Sequence, residues 1–75
     1  MEKKLSAMEY DEMGTVKRIE GELREKVAGM GIRVGKKVRM ITKQPIKGPV
    51  VVVVDEANTS LGLDIAGKIV VEMER

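Results

Sequence analysis

Residues 36 to 54 read KKVRMITKQPIKGPVVVVV. In the first half, Val38 and Met40 fall on one side while Lys37, Arg39 and Lys43 fall mostly on the other, the period-two pattern of a strand with one face buried. Pro45 ends that strand, because proline offers no amide hydrogen to a ladder. Gly48 and Pro49 lead into Val50 to Val54, a β-branched run without a polar face, which predicts a central strand or one covered on both sides. No helix separates the two segments, so they pair antiparallel rather than as parts of a parallel α/β sheet.

The flanking segments extend the same pattern. DEANTS, residues 55 to 60, carries turn residues, and the NTS within it, formally a glycosylation acceptor at Asn58, reads as part of that turn. In SLGLDIAGK (60 to 68) Leu61, Leu63 and Ile65 alternate, and in KIVVEM (68 to 73) Ile69, Val71 and Met73 alternate, which predicts two more strand segments. Upstream, GTVKRIEG (14 to 21) places Val16 and Ile19 at an odd spacing. A strand with a bulge near Lys17 and Arg18 turns both inward. ELREKVAGMG (22 to 31) changes period: Leu23, Val27 and Met30 form one apolar stripe of a short helix, with Gly29 or Gly31 as the left-handed residue at its end. The expectation is one mainly β domain over residues 1 to 75, a small barrel of about five to six strands with one short helix across an opening.

Composition narrows the function. The 75 residues include no cysteine and no histidine, so disulfides, thiolate metal sites and the commonest general base are absent. The carboxylates cluster at 9 to 12, 20 to 25, 55 to 56 and 72 to 74 and single out no catalytic pair, and no enzyme is expected. Tyr10 is the sole aromatic. The interior must therefore be aliphatic, with Met30, Met40 and Met73 filling gaps, the alternative being a soft-metal site built from those thioethers. Charge is uneven despite a net +2: no acid lies between Glu25 and Asp55, whereas Lys26, Arg33, Lys36, Lys37, Arg39, Lys43 and Lys47 all do. That stretch predicts a positive surface, either a solvated face or a binding face for an acidic partner. The N-terminal residues contain no long apolar run, so no membrane insertion and a cytoplasmic address are expected.

GMGIRVGKKV, residues 29 to 38, invites comparison with a phosphate-binding loop. Aligning Gly35-Lys36 with G-x-x-x-x-G-K-[ST] puts Met30 in place of the first glycine and Lys37 in place of the hydroxyl. The glycines also follow a helix and precede a strand, the reverse of the order such loops need. Gly29, Gly31, Gly35 and Gly48 are therefore read as turn glycines.

The blocks GMGIRVGKKVRM, QPIKGPVVV and SLGLDIAGKIVV together resemble the FeoA family over residues 5 to 73. Gly31, Ile32, Gly35 and Val38 match its first pattern, Pro45, Gly48 and Pro49 its second, and Ala66, Ile69 and Val71 its close. In the stretch leading to that alanine, where many members carry an arginine or other polar residue, this chain has Gly62, Leu63 and Asp64. The resemblance implies an SH3-like barrel and a role as accessory to FeoB, the ferrous iron permease with a cytoplasmic GTPase domain. It also implies kinship with the C-terminal domain of iron-dependent repressors and a link to transition-metal binding. With only oxygen and thioether donors to offer, any ferrous site is expected to be weak or shared with a partner, and no resident cofactor is expected. The expected partner contact is the basic and apolar turn of Arg39, Lys43, Pro45, Ile46 and Lys47. Metal sensing or chaperoning is the alternative, and nucleic-acid binding a second one that lacks aromatic platforms. Exposed edge strands leave self-association open.

Overall fold

The computed structural model describes residues 1–43 and 48–74. Six strands form one antiparallel sheet: β1 (Glu2–Lys4), β2 (Met13–Ile19), β3 (Lys37–Lys43), β4 (Val50–Val54), β5 (Ala57–Leu61) and β6 (Ile69–Met73). Their spatial order is β1-β6-β2-β3-β4-β5, so β2 to β5 make the expected meander and β6 returns to pair with β2. A short helix, α1 (Arg24–Ala28), joins β2 to β3, and a single helical turn, α2 (Leu63–Ala66), joins β5 to β6.

Two bulges curl the sheet. In β2 the register to β6 shifts between Val16 and Arg18, which leaves Lys17 as the extra residue and turns both Val16 and Ile19 into the core, as their odd spacing required. In β3 a second shift lies between Met40 and Thr42. The overall extents, 28 × 26 × 22 Å, are nearly equal, so the sheet wraps around its contents instead of lying flat. Inside are aliphatic side chains and two methionines, among them Leu5, Met8, Ile32, Met40, Leu61 and Ile69, with no buried polar side chain among the described residues.

Several expectations change. β4 is the central strand expected, flanked by β3 and β5, but its two faces differ: Val50, Val52 and Val54 are buried, while Val51 and Val53 are half-buried on the outer face. DEANTS is not wholly a turn. Only Asp55 and Glu56 make the reversal, both at positive φ (50° and 67°), a two-residue hairpin connection; Asn58, Thr59 and Ser60 belong to β5, an edge strand that tolerates polar side chains. The alternation of Leu61, Leu63 and Ile65 does not mark one strand, because β5 ends at Leu61 and Leu63–Ala66 coil into α2 after the extended Gly62. At the N-terminus, β1 pairs with β6 and delivers Leu5 and Met8 to the core, a segment whose charges hid it in the sequence.

The end of α1 corrects the helix stripe. The Ile32 amide donates to the Val27 carbonyl at 3.0 Å and the Gly31 amide to the Ala28 carbonyl at 3.0 Å, with Gly31 at φ 86°. This is a Schellman ending whose apolar pair is Val27 and Ile32, both fully buried. Gly31, and not Gly29 (φ −64°), is the left-handed residue. Because the chain reverses there, Ile32 takes the core position and Met30 stands 37% exposed.

Candidate functional site

The next turn is fixed as firmly as the first. The Lys36 amide donates to the Arg33 carbonyl at 3.0 Å, and Gly35 sits at φ 95°. The turn is then stitched to β2 in both directions: the Gly35 amide donates to the Val16 carbonyl and the Val16 amide to the Lys36 carbonyl, each at 2.8 Å. The glycines of GMGIRVGKKV thus end a helix and shape a turn, which removes the phosphate-loop reading on geometric grounds.

Between α1 and this turn lies an open groove of about 480 Å³, lined by Arg24, Ala28, Ile32, Arg33 and Val34. Arg24 and Ala28 share a helix face by their four-residue spacing. Ile32 is the buried floor, Arg33 is exposed, and Val34 is 56% exposed, unusual for a β-branched aliphatic residue. The sequence showed Arg33 as one of several basic residues, but it gave no sign that the Schellman ending would bring it beside Arg24.

Four other basic residues of the 26 to 47 stretch behave differently. Lys36 pairs with Asp55 at 2.8 Å, Lys37 with Glu74 at 3.7 Å, Arg39 with Asp11 at 3.8 Å and Lys43 with Glu9 at 3.8 Å. The positive surface expected from the sequence is therefore interrupted, because the fold brings acids from other segments to it. Arg24, Lys26 and Arg33 have no carboxylate partner within 4 Å among the described residues.

Of the expected partner contacts, Arg39 is exposed opposite half-buried Val53, whereas Lys43 is half-buried opposite fully buried Val50. The bulge after Met40 rotates the end of β3 and puts the two cations on different faces. Pro45, Ile46 and Lys47 lie outside the described residues. Tyr10 is 76% exposed and precedes β2, off the sheet strands.

Metal chemistry finds little purchase. Met40 is sealed in the core while Met30 is on the surface, so the thioethers do not form one exposed cluster. A smaller groove of about 280 Å³ collects Asp11, Glu12, Met13, Met73 and Glu74, but Asp11, Glu12 and Glu74 each already face a base, Arg39, Lys3 and Lys37 respectively. Among the described residues, no three acidic side chains are placed to hold a metal ion. No helix among them is long and apolar enough to cross a membrane.

The fold and sequence can be compared with known proteins. No curated protein sequence matches the chain. Among solved structures, an iron uptake regulatory protein (FeoA) is 27% identical with a TM-score of 0.90, each chain covering 99% of the other. A manganese-dependent transcriptional repressor is 26% identical with a TM-score of 0.88; this chain is covered to 97% but spans only 42% of the repressor. FeoA of Stenotrophomonas maltophilia, solved with zinc and described as a prokaryotic SH3 domain protein, is 24% identical over 95% of this chain and 94% of its own, with a TM-score of 0.77, which shows the shared SH3-like fold. The sequence profile of the FeoA domain matches residues 3–73, nearly the full length, and the chain therefore belongs to the FeoA domain family.

Proposed function

We propose that the protein is an accessory of ferrous iron uptake that works without catalysis of its own, by docking in the cytoplasm on an FeoB-type permease and modulating its transport or GTP hydrolysis. The observation that carries this reading is the FeoA domain match over residues 3–73. The architecture agrees with it: a core of aliphatic side chains and surface grooves in place of a deep polar cleft favour contact over chemistry. The test is co-purification of the tagged protein with the permease in mild detergent. Retention of the permease is expected, and its absence under conditions that preserve GTPase activity would overturn the reading.

A second reading, a metal-responsive module, draws on the zinc-bound relative and the manganese-dependent repressor. On this reading the isolated chain itself binds a divalent transition metal, ferrous iron included. Calorimetry with Fe(II), Mn(II) and Zn(II) separates the two readings, since tight one-to-one binding by the isolated chain would favour the sensor.

A further inference from the structure

We infer that the groove between α1 and the 33–36 turn is the docking site for an acidic, amphipathic segment of a partner protein. An apolar side chain of that segment seats on Ala28, Ile32 and Val34, and flanking carboxylates reach Arg24 and Arg33. The inference rests on the docking reading above and specifies which surface docks and what chemistry it accepts.

Charge complementarity is the first argument. The lining holds two guanidinium groups and no carboxylate. Glu22 and Glu25 lie on the same helical stretch but outside the lining. Elsewhere Lys36, Lys37, Arg39 and Lys43 have acids within 4 Å. Among the described residues Lys4, Lys26 and Lys68 also have none there, but the groove is where two unmatched guanidinium groups line one apolar hollow. Guanidinium is also the cation best shaped for a carboxylate, which it grips through two parallel hydrogen bonds.

The apolar content is the second argument. Val34 stands 56% exposed at the rim beside the Ile32 floor, and a β-branched side chain in that position gains most when another apolar group covers it. A purely anionic ligand leaves that surface wet, whereas an amphipathic segment uses both halves of the site. Nucleic acid fits less well, since the lining offers no aromatic side chain for stacking.

Rigidity is the third. The Schellman ending at Gly31 and the double link of the 33–36 turn to Val16 hold the backbone of both walls before any partner arrives. A preformed groove spends little binding energy on ordering loops.

The test uses the full chain labelled with ¹⁵N and three synthetic peptides: one alternating glutamate with leucine, one with lysine in place of glutamate, and one with serine in place of leucine. Only the glutamate-leucine peptide is expected to move the amide resonances of residues 24 to 34, with affinity falling as salt rises. Arg24→Ala combined with Arg33→Ala, and separately Val34→Asp, should each weaken it at least about tenfold, the loss of roughly 1.4 kcal/mol. Dispersed spectra will show that these surface variants remain folded. Equal binding of the lysine peptide, shifts centred elsewhere, or no shift at millimolar peptide would overturn the inference. So would anionic phosphatidylglycerol vesicles binding through the same arginines while the peptide does not.

The permease pull-down separates this inference from the function it rests on. If the double arginine variant still retains the permease while Arg39→Ala with Lys43→Ala does not, the groove is the wrong surface and the docking function stands. If the peptide seats in the groove but no form of the protein retains the permease, the groove chemistry stands and the permease reading fails.

Discussion

Gly14 is the residue with the least freedom to change. It sits inside β2, opposite Val38 on one side and Met73 on the other. A Cβ built there would overlap Val71 Cγ1 and lie 2.6 Å from the Glu72 carbonyl oxygen. Neither neighbour can yield, since one is a β-branched side chain in the core and the other is backbone in the adjoining strand. Gly14→Ala should therefore destabilise by about 1 to 3 kcal/mol, the usual cost of overpacking. In a domain of this size each kilocalorie lowers Tm by roughly 4 to 8 °C, which a thermal melt resolves. Gly21→Ala is the control, because a Cβ there meets nothing within 4 Å, and it should leave Tm nearly unchanged. A Gly14→Ala protein as stable as its parent would mean that β2 and β6 are less closely packed than described. The sequence placed Gly14 at a strand boundary; that it lies within the strand depends on β6, more than fifty residues away.

Among the elements, β2, β3, β4 and β6 were legible because each carries its own evidence: alternation in β3 and β6, a β-branched run in β4, and in β2 an odd spacing that only a bulge resolves. β1 was not legible. Its charged residues Glu2 and Lys4 become a strand only because β6 offers Val70 and Glu72 as partners. β5 was mistaken for a turn since Ala57, Asn58 and Ser60 have low strand propensity, and the pairing of Val54 with Ala57 overrides it. The candidate groove was half visible. Arg24 and Ala28 share a face by spacing, but the approach of Arg33 and Val34 follows from the reversal at Gly31, and the bulge that separates Arg39 from Lys43 left no mark in the alternation. In the β4-β5 hairpin Glu56 holds φ 67° without the glycine or asparagine that such turns favour. Glu56→Gly should stabilise the protein by about 0.5 to 1 kcal/mol, relief of left-handed strain exceeding the entropic cost of glycine. Chemical denaturation measures it, and a loss of stability would show that Glu56 makes a contribution the turn geometry does not account for.

Across the whole molecule, surface charge ties together segments that are remote in sequence. Lys17 reaches Glu2 at 2.8 Å and Glu72 at 3.4 Å, joining β1, β2 and β6, while Lys3 holds Glu12 at 2.9 Å. The Glu2 carboxyl is held below its ordinary value of 4.5 chiefly by the hydrogen bond and charge of Lys17. Glu12 is held down first by the backbone amide of Glu9 and then by Lys3. Glu72 is lowered first by the amino terminus and then by Lys17, and Lys17 itself is raised above 10.5, first by its hydrogen bond to Glu2 and then by that to Glu72. The lowered carboxylates contribute stability that is present above pH 4.5 and lost as the pH falls through their folded values below it. The raised ammonium contributes stability that is complete below pH 10.5 and lost as the pH rises through its folded value. The urea midpoint should therefore form a plateau between these limits and decline on either side. All these groups are solvent-accessible, so the decline should be modest and should shrink in high salt. Lys17→Met should flatten the alkaline decline and reduce the acid one, leaving Glu12, and Glu72 through the amino terminus, to account for what remains. If the midpoint of the parent protein is the same at pH 3 as at pH 7, in low salt as in high, these ion pairs do not hold the strands together and the closure of the sheet rests on its aliphatic core alone.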